Sequence, residues 1–236
     1  MKSKIHEILK YQFVYVLVVI LLLGSLWGFL SEIILKSSVI RQGLPYKGGM
    51  AGYITAIGIG MMGIALGNLK KPSLLMGIPL VAVLSKLLIL SIFNIPIVAR
   101  VNSSLAILLG GIALTLIVTL VGNNLYSRSL IRLASGMIAG LLAAIAFFFI
   151  GMQIMPCPYL LSFKRTGGFE SFMNSNGMVW SFFSGILFYT GCWLGKRLKN
   201  VSLNLSPTQS LAYYSGSAFV IVCCWVIMAF SIISSS

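Results

Sequence analysis

The chain has 236 residues, a mean hydropathy of +1.02, 58% apolar residues and only 8% charged ones. A soluble domain carries about 25% charged residues to keep its surface wet, and a body of this size still exposes too much surface to hide the excess apolar side chains in one core. Composition therefore excludes a soluble globule, a disordered chain, a collagen and a disulfide scaffold, and leaves a polytopic membrane protein.

The net charge of +14 sets 17 Lys and Arg against three acids, Glu7, Glu32 and Glu170. The cations fall in short clusters between apolar runs, as in the loops of a membrane protein. Each is worth about 1 kcal/mol of attraction near an anionic leaflet, so the partner expected for them is the lipid bilayer and not nucleic acid.

A hydrocarbon core of about 30 Å needs some 20 helical residues, and about seven stretches qualify: 11–35, 49–69, 72–94, 103–122, 131–155, 178–195 and 211–233. The runs are continuous, as in Val14–Leu23 and Leu141–Ile150, which argues for helices and against an outer-membrane barrel. The fold class expected is an all-α transmembrane bundle of six to seven spans, with residues 1–236 forming one integral membrane domain. The first span follows Lys2, Lys4 and Lys10, but its apolar part is longer than a signal peptide's and no A-x-A-like site follows, so it reads as a retained helix. The second carries Gly58, Gly60, Gly63 and Gly67 with Ala56 and Ala65, a slim surface suited to the centre of a bundle. The third contains Pro79, a candidate kink, and Lys86. Glycines recur four apart at Gly24/Gly28, Gly63/Gly67, Gly136/Gly140 and Gly191/Gly195, spacing that lets helix backbones approach closely. Between the fifth and sixth spans, 156–177 reads as a capping loop whose part Pro158–Gly177, with Phe163, Phe169 and Phe172 beside Gly167–Gly168 and asparagines, is apolar enough to lie on the bundle and flexible enough to move.

Lys/Arg bias sets orientation. With the N-terminus inside, the cytoplasmic loops hold Lys2, Lys4, Lys10, Lys70, Lys71, Arg128, Arg132, Lys196, Arg197 and Lys199. The outer ones hold Lys36, Arg41, Lys47, Arg100, Lys164 and Arg165. The location expected is the cell membrane, multi-pass, with a cytoplasmic N-terminus.

Reactive groups are scarce. The single histidine, His6, lies in the N-terminal tail, and there is no aspartate. Bis-histidine haem, a His-Glu-x-x-His zinc site, a Ser–His pair and paired aspartates in the membrane are all excluded. Cys157, Cys192, Cys223 and Cys224 have no metal spacing; Met152, Met155 and Cys157 make at most a soft copper(I) group, and the ordinary reading of those methionines is packing. No G-x-x-x-x-G-K-[ST] motif is present. Neither enzymatic activity nor a cofactor or metal is expected.

A charge at the centre of a membrane helix costs about 2.5–3.5 kcal/mol and is a functional candidate by default. Lys86, about eight residues or ~12 Å below the outer end of its span, and Glu32, near the outer end of the first, are the two candidates. They either pair with each other or face a ligand. Trp27, Tyr46, Tyr53, Asn94, Gln153, Tyr159, Asn174, Asn176 and Trp180 map to the same side. Singly, Trp180 and the tyrosines read as an interfacial belt. Together with the charges they suggest an outward-facing cavity capped by loops 36–48 and 156–177. The substrate-binding candidates are Glu32, Lys86, Trp27, Tyr53, Asn94, Gln153 and Trp180.

The segment Leu26-Trp27-Gly28 to Glu32, followed by Leu44-Pro45 and Gly48, resembles the first helix and first loop of the S components of energy-coupling-factor importers. These are membrane subunits that bind vitamins or similar micronutrients and join a transmembrane scaffold with two ATPases. The resemblance covers about residues 11–197. It implies a solute-capture subunit that binds a small solute from the outer side, with scaffold and ATPase subunits as partners. The family's Ala-x-x-x-Ala scaffold contact is replaced here by Gly24/Gly28, and 211–233 adds a helix to the family's six. A second reading stays open: a non-catalytic membrane scaffold or anchoring subunit of a larger complex, in which Lys86 and Glu32 serve packing between helices.

Overall fold

The computed structural model describes residues 2–36, 50–96, 101–154, 156–202 and 207–234. In chain order these form α1 (Lys2–Lys36), α2 (Met50–Leu69), a 3₁₀ turn (Pro72–Leu74), α3 (Gly77–Ile92), α4 (Val101–Val121), α5 (Asn124–Ser127), α6 (Ser129–Ile154), α7 (Pro158–Arg165), α8 (Gly168–Phe172), a π turn (Met173–Gly177), α9 (Met178–Ser202) and α10 (Pro207–Ile233). No strand occurs among the described residues. Among the described residues seven helices are long and apolar enough to cross a membrane, their spans running Phe13–Ile34, Met50–Leu69, Pro72–Ile92, Val101–Val121, Ser129–Ile154, Gly168–Lys199 and Thr208–Ile233. The protein is an all-α, multi-pass membrane bundle.

Successive spans alternate in direction. The end at which α1 starts is called proximal here and the opposite end distal. Tyr15 and Asn68 tie the proximal ends of α1 and α2 by mutual hydrogen bonds of 3.1 and 2.8 Å. At the centre stands α2, packed against α1, α4, α6 and α9 and buried over most of its length. It can be central because its partners reach its backbone. A Cβ at Gly63 would lie 2.8 Å from the Phe188 carbonyl of α9, and in return Cβ atoms at Gly191 and Gly195 would fall on the Gly60 and Ile64 carbonyls of α2. Gly136 and Gly140 of α6 meet α9 in the same way, at the Ser184 and Trp180 carbonyls. The four-residue glycine spacing is helix packing.

Gly24 and Gly28 are spent within the chain as well. A Cβ at Gly24 would stand 2.8 Å from the Ile78 carbonyl, and one at Gly28 3.2 Å from that of Ala82. The face expected to meet a scaffold is covered by α3 of the same chain.

Two expectations about breakers change. Pro79 does not kink the third span. The span is interrupted earlier, by the 3₁₀ turn and the turn at Leu75–Met76, and Pro79 occupies the first turn of α3, where a backbone donor has no intrahelical acceptor in any case. Residues 156–177 lie on the bundle as expected, but as short helices and not as a loop. Beyond Pro156, Cys157 and turns they are helical, because Phe169 and Phe172 stack with Phe148 and Phe149 of α6 at ring separations of 5.0–5.5 Å and Phe163 packs on Phe172 at 5.3 Å, with Phe172 fully buried. Aromatic pairs of this kind add about 0.5–1.5 kcal/mol each beyond area burial. The other expected cap, 36–48 with Tyr46, lies almost wholly outside the described residues.

The last helix is peripheral. α10 touches α1 and α3, forms a small cluster of its own through Ile89, Leu90, Met228 and Ile232, and is pinned to α1 by Trp225 Nε1 donating to Ser25 Oγ at 2.9 Å. The six preceding spans share the main core.

Candidate functional site: a buried polar layer at the distal end

α1 and α3 run parallel in contact, so Gly24, Gly28 and Glu32 meet Ile78, Ala82 and Lys86 in turn. At the last step Lys86 Nζ lies 3.0 Å from Glu32 Oε1, and both side chains are 0% exposed. Lys86 Nζ also donates to Ser103 Oγ of α4 at 3.4 Å. Lys86 stands six residues, about 9 Å, from the distal end of α3, nearer than the sequence count suggested, because α3 ends at Ile92. Its ammonium turns into the bundle instead of snorkelling along the helix to the interface. Ser31 and Ser85, beside the pair, are satisfied by their own helices at Gly28 O and Ala82 O.

Trp27 and Trp180 are not belt residues, at 0% and 1% exposure. The indole of Trp27 fills the slot that Gly58 leaves in α2, and its Nε1 donates to the Ile54 carbonyl at 2.9 Å. That oxygen has a second lone pair beyond its helical bond. Trp180 fills the equivalent slot at Gly52 and packs on Phe147 at 5.4 Å. Tyr53 is buried edge-on against Phe183 at 5.0 Å. Belt-like aromatics do exist: Trp193 is half exposed, with the Arg197 guanidinium 4.1 Å above its ring.

The structure thus brings Glu32 and Lys86 together and buries Trp27, Tyr53 and Trp180 in the distal half of the bundle. It does not bring in Asn94 or Gln153. Asn94 sits exposed in the turn after α3 at φ 53°, and Gln153 is exposed on the last turn of α6. Asn174 is exposed, and Asn176 is buried with its amide donating to Ser175 Oγ at 2.8 Å.

The layer also contains residues the sequence reading passed over. Asn102-Ser103-Ser104 reads as nothing more than the polar entry to a span, yet Asn102 Oδ1 and Ser104 Oγ are buried without a hydrogen-bond partner among the described residues. The same holds for Tyr159 Oη of α7, Trp180 Nε1 of α9 and, closer to the middle of the bundle, Ser184 Oγ. Leu160 of α7 and Leu105 of α4 both approach Gly151 of α6. Burial, reinforced by Cys157, raises the Tyr159 hydroxyl far above the usual phenol range, so it remains an O–H donor. Each buried polar atom left unsatisfied costs about 1–3 kcal/mol, so such a concentration calls for a reason. Among the described residues no group of three or more His, Cys, Asp or Glu could hold a metal.

Neither the family models, nor the curated proteins, nor the solved structures contain a match to this chain.

Proposed function

We propose that the protein is a membrane-embedded solute-capture subunit of an importer, with the distal end facing outward and the N-terminus in the cytoplasm of a cell whose plasma membrane it spans. The observation that supports this is the group of buried polar atoms at the distal end that have no hydrogen-bond partner among the described residues, Asn102 Oδ1, Ser104 Oγ, Tyr159 Oη and Trp180 Nε1, in the same half of the bundle as an ion pair that is neutral as a unit. Donors and acceptors held ready in an apolar surround are what a small polar solute needs for orientation. Because Glu32 and Lys86, the buried charges of the layer among the described residues, cancel, the solute class it suits is uncharged or zwitterionic. ATP use belongs to partner subunits, in keeping with the resemblance to energy-coupling-factor S components.

A second reading, the anchoring or scaffold subunit, draws support from the same ion pair: at 3.0 Å with no exposure it holds α1 to α3 without a ligand. One experiment separates the two. The chain is purified from its native membrane and co-eluting small molecules and proteins are identified by mass spectrometry, for the parent and for Trp180→Phe, which keeps most of the ring but removes the N–H. The importer reading expects a retained small molecule, reduced in the variant, and an ATPase-containing complex. A fixed non-ATPase partner with no retained solute overturns it in favour of the scaffold.

A further inference from the structure

At the proximal end, far from the polar layer, a cavity of about 230 Å³ opens between the end of α2, the α4–α6 connection and the last turns of α9. Its floor is apolar, made by Leu66, Leu125 and Cys192, and its polar lining is Lys70, Arg132, Lys196, Tyr126 and Ser127. Three cations therefore line one small cavity. Of the three acids in the chain, Glu32 and Glu170 stand at the distal end, and the side chain of Glu7 lies outside the described residues.

We propose that this cavity binds a phosphate group, carried by a lipid headgroup or by free phosphate. Arg132 is the anchor. Its guanidinium lies 5.6 Å from the Tyr189 ring centroid, which limits its rotation, and its Nε is buried without a hydrogen-bond partner among the described residues. A planar fork held in this way matches two phosphate oxygens, whereas Lys70 and Lys196 act as mobile point charges. Burial, then Cys192, raises the Tyr126 hydroxyl above its usual range, so it stays a proton donor to an anion. The cavity is also lined by Ser127, whose hydroxyl can donate to a phosphate oxygen. Its volume falls below the ~300 Å³ at which pockets for drug-sized ligands begin, which suits a single phosphate and not a nucleotide. This inference stands independently of the importer reading.

The test uses the full chain in nanodiscs of phosphatidylcholine alone or with phosphatidic acid, and reads the thermal midpoint together with the lipids retained in native mass spectrometry. Inorganic phosphate is titrated separately into the phosphatidylcholine discs. Stabilisation and retention with phosphatidic acid identify a headgroup, and stabilisation by inorganic phosphate identifies a free ion. In either case Arg132→Gln is expected to weaken binding at least tenfold, Lys196→Gln several-fold, and Arg132→Lys less than Arg132→Gln. Lys164→Gln at the distal end is expected to change nothing. Lys196 is exposed, so its variant tests the site even if Arg132→Gln impairs folding. No response to either probe, or an equal loss in Lys164→Gln, overturns the proposal.

Discussion

Replacing Lys86 by methionine removes the ammonium while keeping the length and apolar stem of the side chain, and takes the ion-pair partner at 3.0 Å from the Glu32 carboxylate, which is 0% exposed. At 3.0 Å the pair attracts by about 5.5 kcal/mol for an effective dielectric near 20, and breaking a buried pair from one side costs about 3–5 kcal/mol in practice. Removing both charges is a different perturbation. Pairs replaced by apolar or neutral groups of similar volume are neutral to about 1–4 kcal/mol stabilising, because the desolvation cost of two ions disappears with them. The expected pattern is a large loss for Lys86→Met, a loss for Glu32→Gln, which takes the carboxylate from the buried ammonium, and recovery in the double variant. Thermal or denaturant unfolding of parent, single and double variants in one detergent gives the coupling energy directly. Coupling below about 1 kcal/mol would refute the reasoning, since that is the range of an exposed ion pair. Loss of solute retention in Lys86→Met at unchanged stability would instead make the lysine a ligand contact.

Two further expectations follow from the geometry. In a background with Cys157, Cys192, Cys223 and Cys224 replaced, a cysteine at exposed Lys164 should react with an impermeant thiol reagent in intact cells and one at exposed Lys70 only after permeabilisation; the reverse result inverts the proposed orientation. Gly195→Ala, whose Cβ would fall on the Ile64 carbonyl, should destabilise the protein by about 1–3 kcal/mol. Gly216→Ala, with open space around it in α10, should be neutral or gain up to about 1 kcal/mol from helix propensity; equal effects at the two sites would contradict the packing described for α2 and α9.

The membrane class, the seven spans and the central position of α2 are legible in the residues themselves. They follow from quantities local to the chain: the length of apolar runs against the thickness of a bilayer, and the density of glycine along one helix. The short helices α7 and α8 escape such a reading because they are held by Phe169 and Phe172 stacking on α6 and by Phe163 packing on Phe172, contacts between elements and not a local propensity. The Glu32–Lys86 pair lay between these cases. Both charges stood out as expensive in a membrane, but their meeting depended on α1 and α3 running parallel in a register set by Gly24 and Gly28. Asn102 and Ser104, and the gathering of Lys70, Arg132 and Lys196 around one cavity, were decided by tertiary structure alone. A polar residue near the end of a span has the same sequence signature whether it faces headgroups or a neighbouring helix, and which of the two holds is set by the rotation of that helix against its partners.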